Sequence, residues 1–445
     1  MKSTPISAVP GALTRRGFLQ ATSRAAAGGV ALAALSAERF AHAAGGDEIK
    51  LALVGCGGRG TGAANQNLNV GKGAKLVAMA DIARDRLDKS LQILKTQHPD
   101  QVDVSMANQF IGFDAYKHAI SLADLVLVTT PQGFHPYHLA EAIRQGKNVF
   151  VEKPLAVDAP GVRRVLAAAE EAKRKNLKIG VGLQRHHQPS YVEAVKRLHE
   201  GAVGDLTSMT CYWLGDARAG LERLPGEGEL QYQLRNWYYF TWISGDFIVD
   251  QHIHNIDIMN WIKGDHPVRA QGMGGRQVRN DRKLHGQIFD HHFVEYEYAD
   301  GAKLFSQCRQ GQPGTYQQVS EHVVGTNGRA DLNVQSRLFR ITGPNAWELR
   351  LKKGEDGHQL EHFPLMEAIR NDQPYNELEI AAMSTMTAIM GRMATYSGKS
   401  VEWDDAFNSK LQLMPEEVNW DMAPPVVPDA DGFYPIAQPG RTIAL

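Results

Sequence analysis

From residue 49 to 182, short runs of nearly unbroken apolar residues alternate with stretches whose apolar positions recur every three or four residues. A strand buried on both faces gives the first pattern and a half-buried helix the second. The unbroken runs cover 49–54, 76–80, 125–129, 148–151 and 178–181; the helical pattern covers 83–94, 137–145 and 160–175. Asp158 precedes the last of these as a candidate cap, and Pro160 falls in its first turn. Repeated strand, helix, strand order predicts an α/β Rossmann domain built on a doubly wound parallel sheet.

Past about residue 206 the period drops to two. Phe293-Val294-Glu295-Tyr296-Glu297-Tyr298, the turn Asp300-Gly301 and the run 302–308 read as an antiparallel hairpin. Further strands are expected at 206–213, 270–278, 319–324 and 338–342, a helix at 377–396, and a proline-rich extended arm at the end, suited to wrapping a neighbour. The second domain is therefore expected to be α+β with a mostly antiparallel sheet. The expected divisions are a leader at 1–43, the Rossmann domain at 44–185, the α+β domain at 186–375, a helical region at 376–414 and the arm at 415–445. An open sheet and such an arm predict a homodimer or homotetramer.

The 445 residues exceed what one core usually organises, which agrees with two domains. Net charge is −1 and no basic run is interleaved with aromatics, so nucleic acid is not an expected partner. Cys56, Cys211 and Cys308 are too few and too widely spaced for a disulfide framework and read as free thiols. Thr14-Arg15-Arg16-Gly17-Phe18-Leu19-Gln20, the apolar stretch 21–35 and Ala41-His42-Ala43 together resemble a twin-arginine export signal. The expectations are a periplasmic location, the twin-arginine machinery as a partner, and a mature chain from Ala44 with no membrane association. The stretch is shorter than the ~20 apolar residues a span requires.

Gly55-Cys56-Gly57-Gly58-Arg59-Gly60 follows the first strand and opens a helix, in G-x-G-x-x-G register. Gly55 permits the turn, Gly57 lets the backbone approach a pyrophosphate, and Gly60 lets helix and strand pack closely. The free N–H groups of the helix start then face the phosphates. Asp81 ends the next strand about twenty residues on, where a carboxylate accepts from ribose hydroxyls and repels a 2′-phosphate. NAD is thus favoured over NADP.

Thr129-Thr130-Pro131 with His135, Glu152-Lys153-Pro154, and Gly245, Asp250, His254 and Asp257 resemble the pattern of the Gfo/Idh/MocA family of sugar and inositol oxidoreductases. The resemblance runs from Val54 to about Thr395. It implies that Lys153 lies beside the nicotinamide and contacts the reacting hydroxyl. With the fingerprint it gives a cofactor set of Gly55, Gly57, Gly58, Arg59, Gly60, Asp81, Thr130, Pro131, His135 and Glu152. Hydride transfer from a carbinol needs a base for the hydroxyl proton and a charge that stabilises the alkoxide. Lys153 supplies the charge and His254 the acid/base; if Asp250 begins a helix, His254 follows one turn on, with Asp250 orienting it or gripping a substrate hydroxyl.

Histidines crowd this region: His186-His187, His252 with His254, and His291-His292. They read either as metal ligands or as sugar-binding hydrogen-bond partners, and no metal is assigned. Arg185, His186, Trp237, Tyr239, His252 and Asp257 form the expected substrate set, with Tyr238 and Trp242 as further aromatic surface. The function expected is an NAD-dependent oxidoreductase acting on a sugar, glycoside or polyol. Because the periplasm is not expected to offer free NAD, the cofactor should be tightly held. One alternative is an NAD-dependent glycosidase working through a transient keto sugar. Another is a non-catalytic sugar-binding protein, against which the intact glycine fingerprint and Lys153 both stand.

Overall fold

The computed structural model describes residues 48–445 apart from 72 and 353, so the leader at 1–43 lies outside the described residues. Six strands form the first sheet: β1 (Ile49–Val54), β2 (Ala74–Asp81), β3 (Gln109–Ile111), β4 (Leu125–Val128), β5 (Asn148–Val151) and β6 (Ile179–Val181). All pair in parallel, in the order β3-β2-β1-β4-β5-β6. The order reverses beside β1, between β2 and β4, which is where such sheets bind ligands at their carboxyl ends. Residues 51–54 and 125–128 are fully buried, as the unbroken apolar runs require.

The second sheet has nine strands: β7 (Leu206–Asp216), β8 (Arg269–Gly275), β9 (His291–Glu297), β10 (Lys303–Gly311), β11 (Gln318–Gly325), β12 (Arg329–Asn333), β13 (Leu338–Thr342), β14 (Trp347–Arg350) and β15 (Val401–Glu402). Its order is β14-β13-β12-β11-β7-β10-β9-β8-β15, antiparallel except where β10 runs parallel to β7. Alternating burial along β9 and β10 turns one face to the core. The helix Leu378–Ser397 lies between this face and the helix Ala159–Arg174, buried nearly all round, and joins the two domains in one continuous apolar core.

Two stretches lie differently from the sequence expectation. The helix His362–Arg370, expected within the second domain, packs on the first: Leu365 and Met366 belong to the cluster around Leu51, Leu127 and Phe150, and Ile179 bridges to Asn376. The chain thus returns to the Rossmann sheet before the long helix begins. The arm packs on its own chain: Trp420 meets Phe113 at a centroid distance of 4.7 Å, Arg164 pairs with Glu416, and the Tyr434 hydroxyl donates to Glu229. Among the described residues no helix is long and apolar enough to cross a membrane.

Asp158 fastens the arm. Its Oδ1 caps the helix Ala159–Arg174 through Gly161 N at 2.8 Å, and its Oδ2 accepts from Leu413 N and Met414 N at 2.7 and 3.1 Å. Asp158→Ala is expected to cost about 3 kcal/mol in denaturant unfolding, because a cap and two bonds to a carboxylate are lost together. Asp158→Asn, which keeps an acceptor, should recover about half of that.

Candidate active site

The carboxyl ends of β1, β2, β4 and β5 open into a cleft of about 480 Å³ that also takes residues from the second domain. Its floor is the glycine turn. Gly55 has φ +96°, a left-handed conformation costly for any residue with a Cβ. A Cβ on Gly60 would sit 1.9 Å from Gly55 O, whereas one on Gly57 would meet nothing within 4 Å and would project into open space. The helix Gly58–Leu68 has no side-chain cap and no acid in its first turn, so its leading N–H groups stay available to phosphates. Asp81 lines the cleft, its oxygens accepting from Cys56 N at 2.6 Å and Ala83 N at 2.9 Å. Ile82, Phe113, Tyr116 and Phe134 add apolar lining to the same cleft. A phosphate cradle at the glycine turn, a carboxylate acceptor at Asp81 and apolar side chains line one cleft, so the residues present fit a dinucleotide.

Arg59 reaches across the turn to hydrogen-bond Glu152, and its Nη2 lies 3.2 Å from Glu361 Oε1. Burial alone would lift the Glu152 carboxyl, but Arg59 and Lys153 pull it below the usual range. Burial pushes Glu361 well above that range, and the neighbouring Glu152 charge adds to the effect. His135 sets its two ring nitrogens 2.8 Å from Pro154 O and 2.6 Å from Thr130 O, bracing the two loops that carry Thr130, Pro131 and Lys153.

At the other end Lys153 Nζ donates to Asp250 O at 2.6 Å and lies 3.8 Å from Asp250 Oδ1. That carboxylate also accepts from Gln132 Nε2. Asp250 closes the short helix Phe247–Asp250, and His254 belongs to the next helix, Ile253–Lys263. The expectation that Asp250 begins a helix is corrected here: the chain breaks between them, and the break turns both residues into one cleft. Burial, then the Lys153 and Arg185 charges, hold the His254 imidazole well below its ordinary pKa. The ring is neutral at neutral pH, its Nδ1 is buried without a hydrogen-bond partner among the described residues, and it stacks 6.0 Å from Trp213.

Of the expected substrate residues, Trp237 lines the cleft, whereas Arg185, His186, Tyr239, His252 and Asp257 lie behind its wall. Each has a partner in the body of the second domain. Arg185 pairs with Glu321 at 2.5 Å and donates to His254 O at 3.2 Å, supporting the backbone of the imidazole. His186 bonds Asp257 at 2.7 Å and stacks on Trp261; although burial opposes it, Asp257 raises the His186 pKa overall. His252 meets Ser306 Oγ at 2.7 Å, and the Tyr239 hydroxyl donates to Arg218 O. The histidine pairs thus go to separate partners, and among the described residues no group of metal ligands assembles. Gln132, Trp213, Arg218, Gln251 and His358 line the cleft without having been expected there. Gln132 and Gln251 adjoin motif residues, which is the one signal that marked them.

Buried histidines also set the acid limit of the fold. Burial pushes His138, His252 and His362 down to about 3 from the ordinary 6.5. Below about pH 6.5 the unfolded chain takes up protons there that the folded chain refuses. Each site therefore removes stability as pH falls toward about 3, by about 1.4 kcal/mol per pH unit. Urea unfolding is expected to show this decline between about pH 6.5 and 4, and a flat profile would contradict it.

Residues 49–181 match the family described as "Oxidoreductase family, NAD-binding Rossmann fold", and residues 191–331 match the "GFO/IDH/MocA C-terminal domain". An inositol 2-dehydrogenase of Ralstonia nicotianae is 28% identical over 293 residues, covering 64% of this chain and 74% of the relative. Among solved structures, a levoglucosan dehydrogenase in complex with NADH and levoglucosan superposes with a TM-score of 0.64 at 15% identity, covering 80% of this chain and 99% of that one. A myo-inositol 2-dehydrogenase from Lactobacillus plantarum gives 0.62 at 21% identity, with the same coverage.

Proposed function

Because the chain belongs to the Gfo/Idh/MocA family of NAD-binding oxidoreductases, we propose that it oxidises a carbinol of a sugar, glycoside or polyol in the cleft between its two domains. The observation that carries this reading is that one cavity joins the glycine turn to Lys153, Asp250 and His254. Gly57, the helix start and Arg59 would hold the pyrophosphate, Asp81 the ribose, and Thr130, Pro131 and Glu152 the nicotinamide end. Bound there, NAD supplies the hydride acceptor. The neutral His254 ring takes the hydroxyl proton, and the Lys153 ammonium stabilises the oxygen as negative charge develops. Asp250, whose carboxylate accepts from Gln132, holds that ammonium in place. The match to inositol 2-dehydrogenases favours a cyclic substrate.

The leader motif around Arg15-Arg16 supports export to the periplasm through the twin-arginine machinery, with the cofactor carried tightly bound. The face of the nine-stranded sheet bearing Met273, Phe293 and Phe305 suits self-association as a dimer or tetramer. Denaturing the purified protein and weighing the released nucleotide by mass spectrometry tests cofactor and retention together. NAD near one equivalent per chain is expected; a chain that releases none and binds none on addition would be a sugar-binding protein instead. Mass balance of the products separates a keto sugar, expected here, from net hydrolysis by a glycosidase cycle.

A further inference from the structure

The substrate end of the cleft carries a cation that hydride transfer leaves unused. Arg218 lines the cavity with Trp213, Trp237, Lys153 and His254. Unlike Arg59, it forms no ion pair with a carboxylate among the described residues. It is nonetheless held in position. Ala217 N donates to Gly311 O at 2.9 Å, the Tyr239 hydroxyl donates to Arg218 O, and the guanidinium carbon lies 4.6 Å from the centre of the Tyr238 ring. Tyr238 is fixed in turn, its hydroxyl donating to Gln251 Oε1 at 3.2 Å and accepting from Gln310 Nε2 at 2.6 Å. A guanidinium resting on an aromatic face keeps its N–H edges free for a planar acceptor. The neighbouring charges leave Arg218 uncompensated: Lys153 is matched by Asp250, and burial holds the His254 and His358 rings below their ordinary pKa.

We propose that Arg218 selects substrates that carry a carboxylate, so that the preferred substrate class is a sugar acid. Its carboxylate forms two parallel bonds with the guanidinium while a carbinol of the same molecule lies at Lys153. The reacting end of this arrangement rests on the oxidoreductase reading; the carboxylate end does not. One guanidinium matches a single planar negative charge, and a phosphate dianion would leave charge unmatched.

The test compares glucuronate with glucose, which differ at one terminal group, with binding measured in the NADH-loaded protein and hydride transfer in the protein loaded with oxidised NAD. Calorimetric binding to wild type, Arg218→Gln and Arg218→Lys needs no turnover, and kcat/KM is measured where turnover occurs. Wild type is expected to prefer the acid by about 10–100-fold. Arg218→Gln should bring the ratio close to one, and Arg218→Lys, which keeps charge without the planar fork, should retain part of it. A ratio near one in wild type, a ratio unchanged in Arg218→Gln, or stronger binding of glucose 6-phosphate or glucose 6-sulfate than of glucuronate would overturn the proposal. Arg218-dependent binding of the acid without any hydride transfer would leave the proposal standing and count against the oxidoreductase reading instead.

Discussion

Lys153→Met is expected to lower kcat by about 10³-fold while NADH affinity stays within about threefold of wild type. Methionine keeps the length and apolar stem of the side chain but removes the ammonium that sits 2.6 Å from Asp250 O and 3.8 Å from its carboxylate. Two losses follow. The oxygen of the reacting carbinol no longer has a cation beside it as charge develops, and Asp250 is left as a buried carboxylate whose remaining side-chain partner among the described residues is Gln132. The first acts on the chemical step, so kcat falls more than KM changes. Single-turnover kinetics with a fluorescence titration of NADH separates the two quantities. Turnover equal to wild type would remove Lys153 from the reaction.

Gly57→Val separates cofactor binding from folding. A Cβ at Gly57 meets no protein atom within 4 Å, so the folded chain has room for it. That room is where a pyrophosphate must approach the helix start. NAD affinity is expected to fall by about 100-fold, the scale of two lost charge-assisted bonds. Valine at this N-cap costs the fold only about 1 kcal/mol, and Tm drops by about 1 °C. Gly60→Val should behave in the opposite way. Its Cβ would lie 1.9 Å from Gly55 O, so the variant loses the fold itself. Undiminished NAD binding by Gly57→Val would mean that the dinucleotide does not lie across this turn.

The strands of the first sheet were legible because β1, β4 and β5 are buried on both sides and read as continuous apolar runs. The short strand β3 and the edge strand β14 were not, since three or four half-exposed residues carry no period. The helix Pro189–His199 did leave a signal, with Tyr191, Ala194, Val195 and Leu198 on one face behind Pro189. The helix Ile253–Lys263 hides its period because it is buried nearly all round.

The structure brings the glycine turn, Asp81, Lys153, Asp250 and His254 to one cleft; the turn and Asp81 stood out by their local motif, and Lys153, Asp250 and His254 through the family resemblance. Arg185, His186 and Asp257 were drawn toward the substrate by the same proximity in sequence, yet their partners Glu321, Trp261 and Ser384 lie in the second domain or the long helix. His358 and Glu361 reach the cofactor turn from about three hundred residues away, on the segment that returns to the first sheet, and nothing local marks them.

The central claim is that one cleft brings a dinucleotide and a carbinol together beside Lys153 and His254. Its most direct test is a single-turnover experiment in which protein loaded with oxidised NAD is mixed with matched neutral and acidic sugars and cyclic polyols, and the absorbance of reduced nicotinamide is followed. The account predicts reduction with at least one of them, approaching one equivalent per chain in wild type and absent on that timescale in Lys153→Met. No reduction with any of them while NAD demonstrably stays bound, or equal reduction by Lys153→Met, would contradict it.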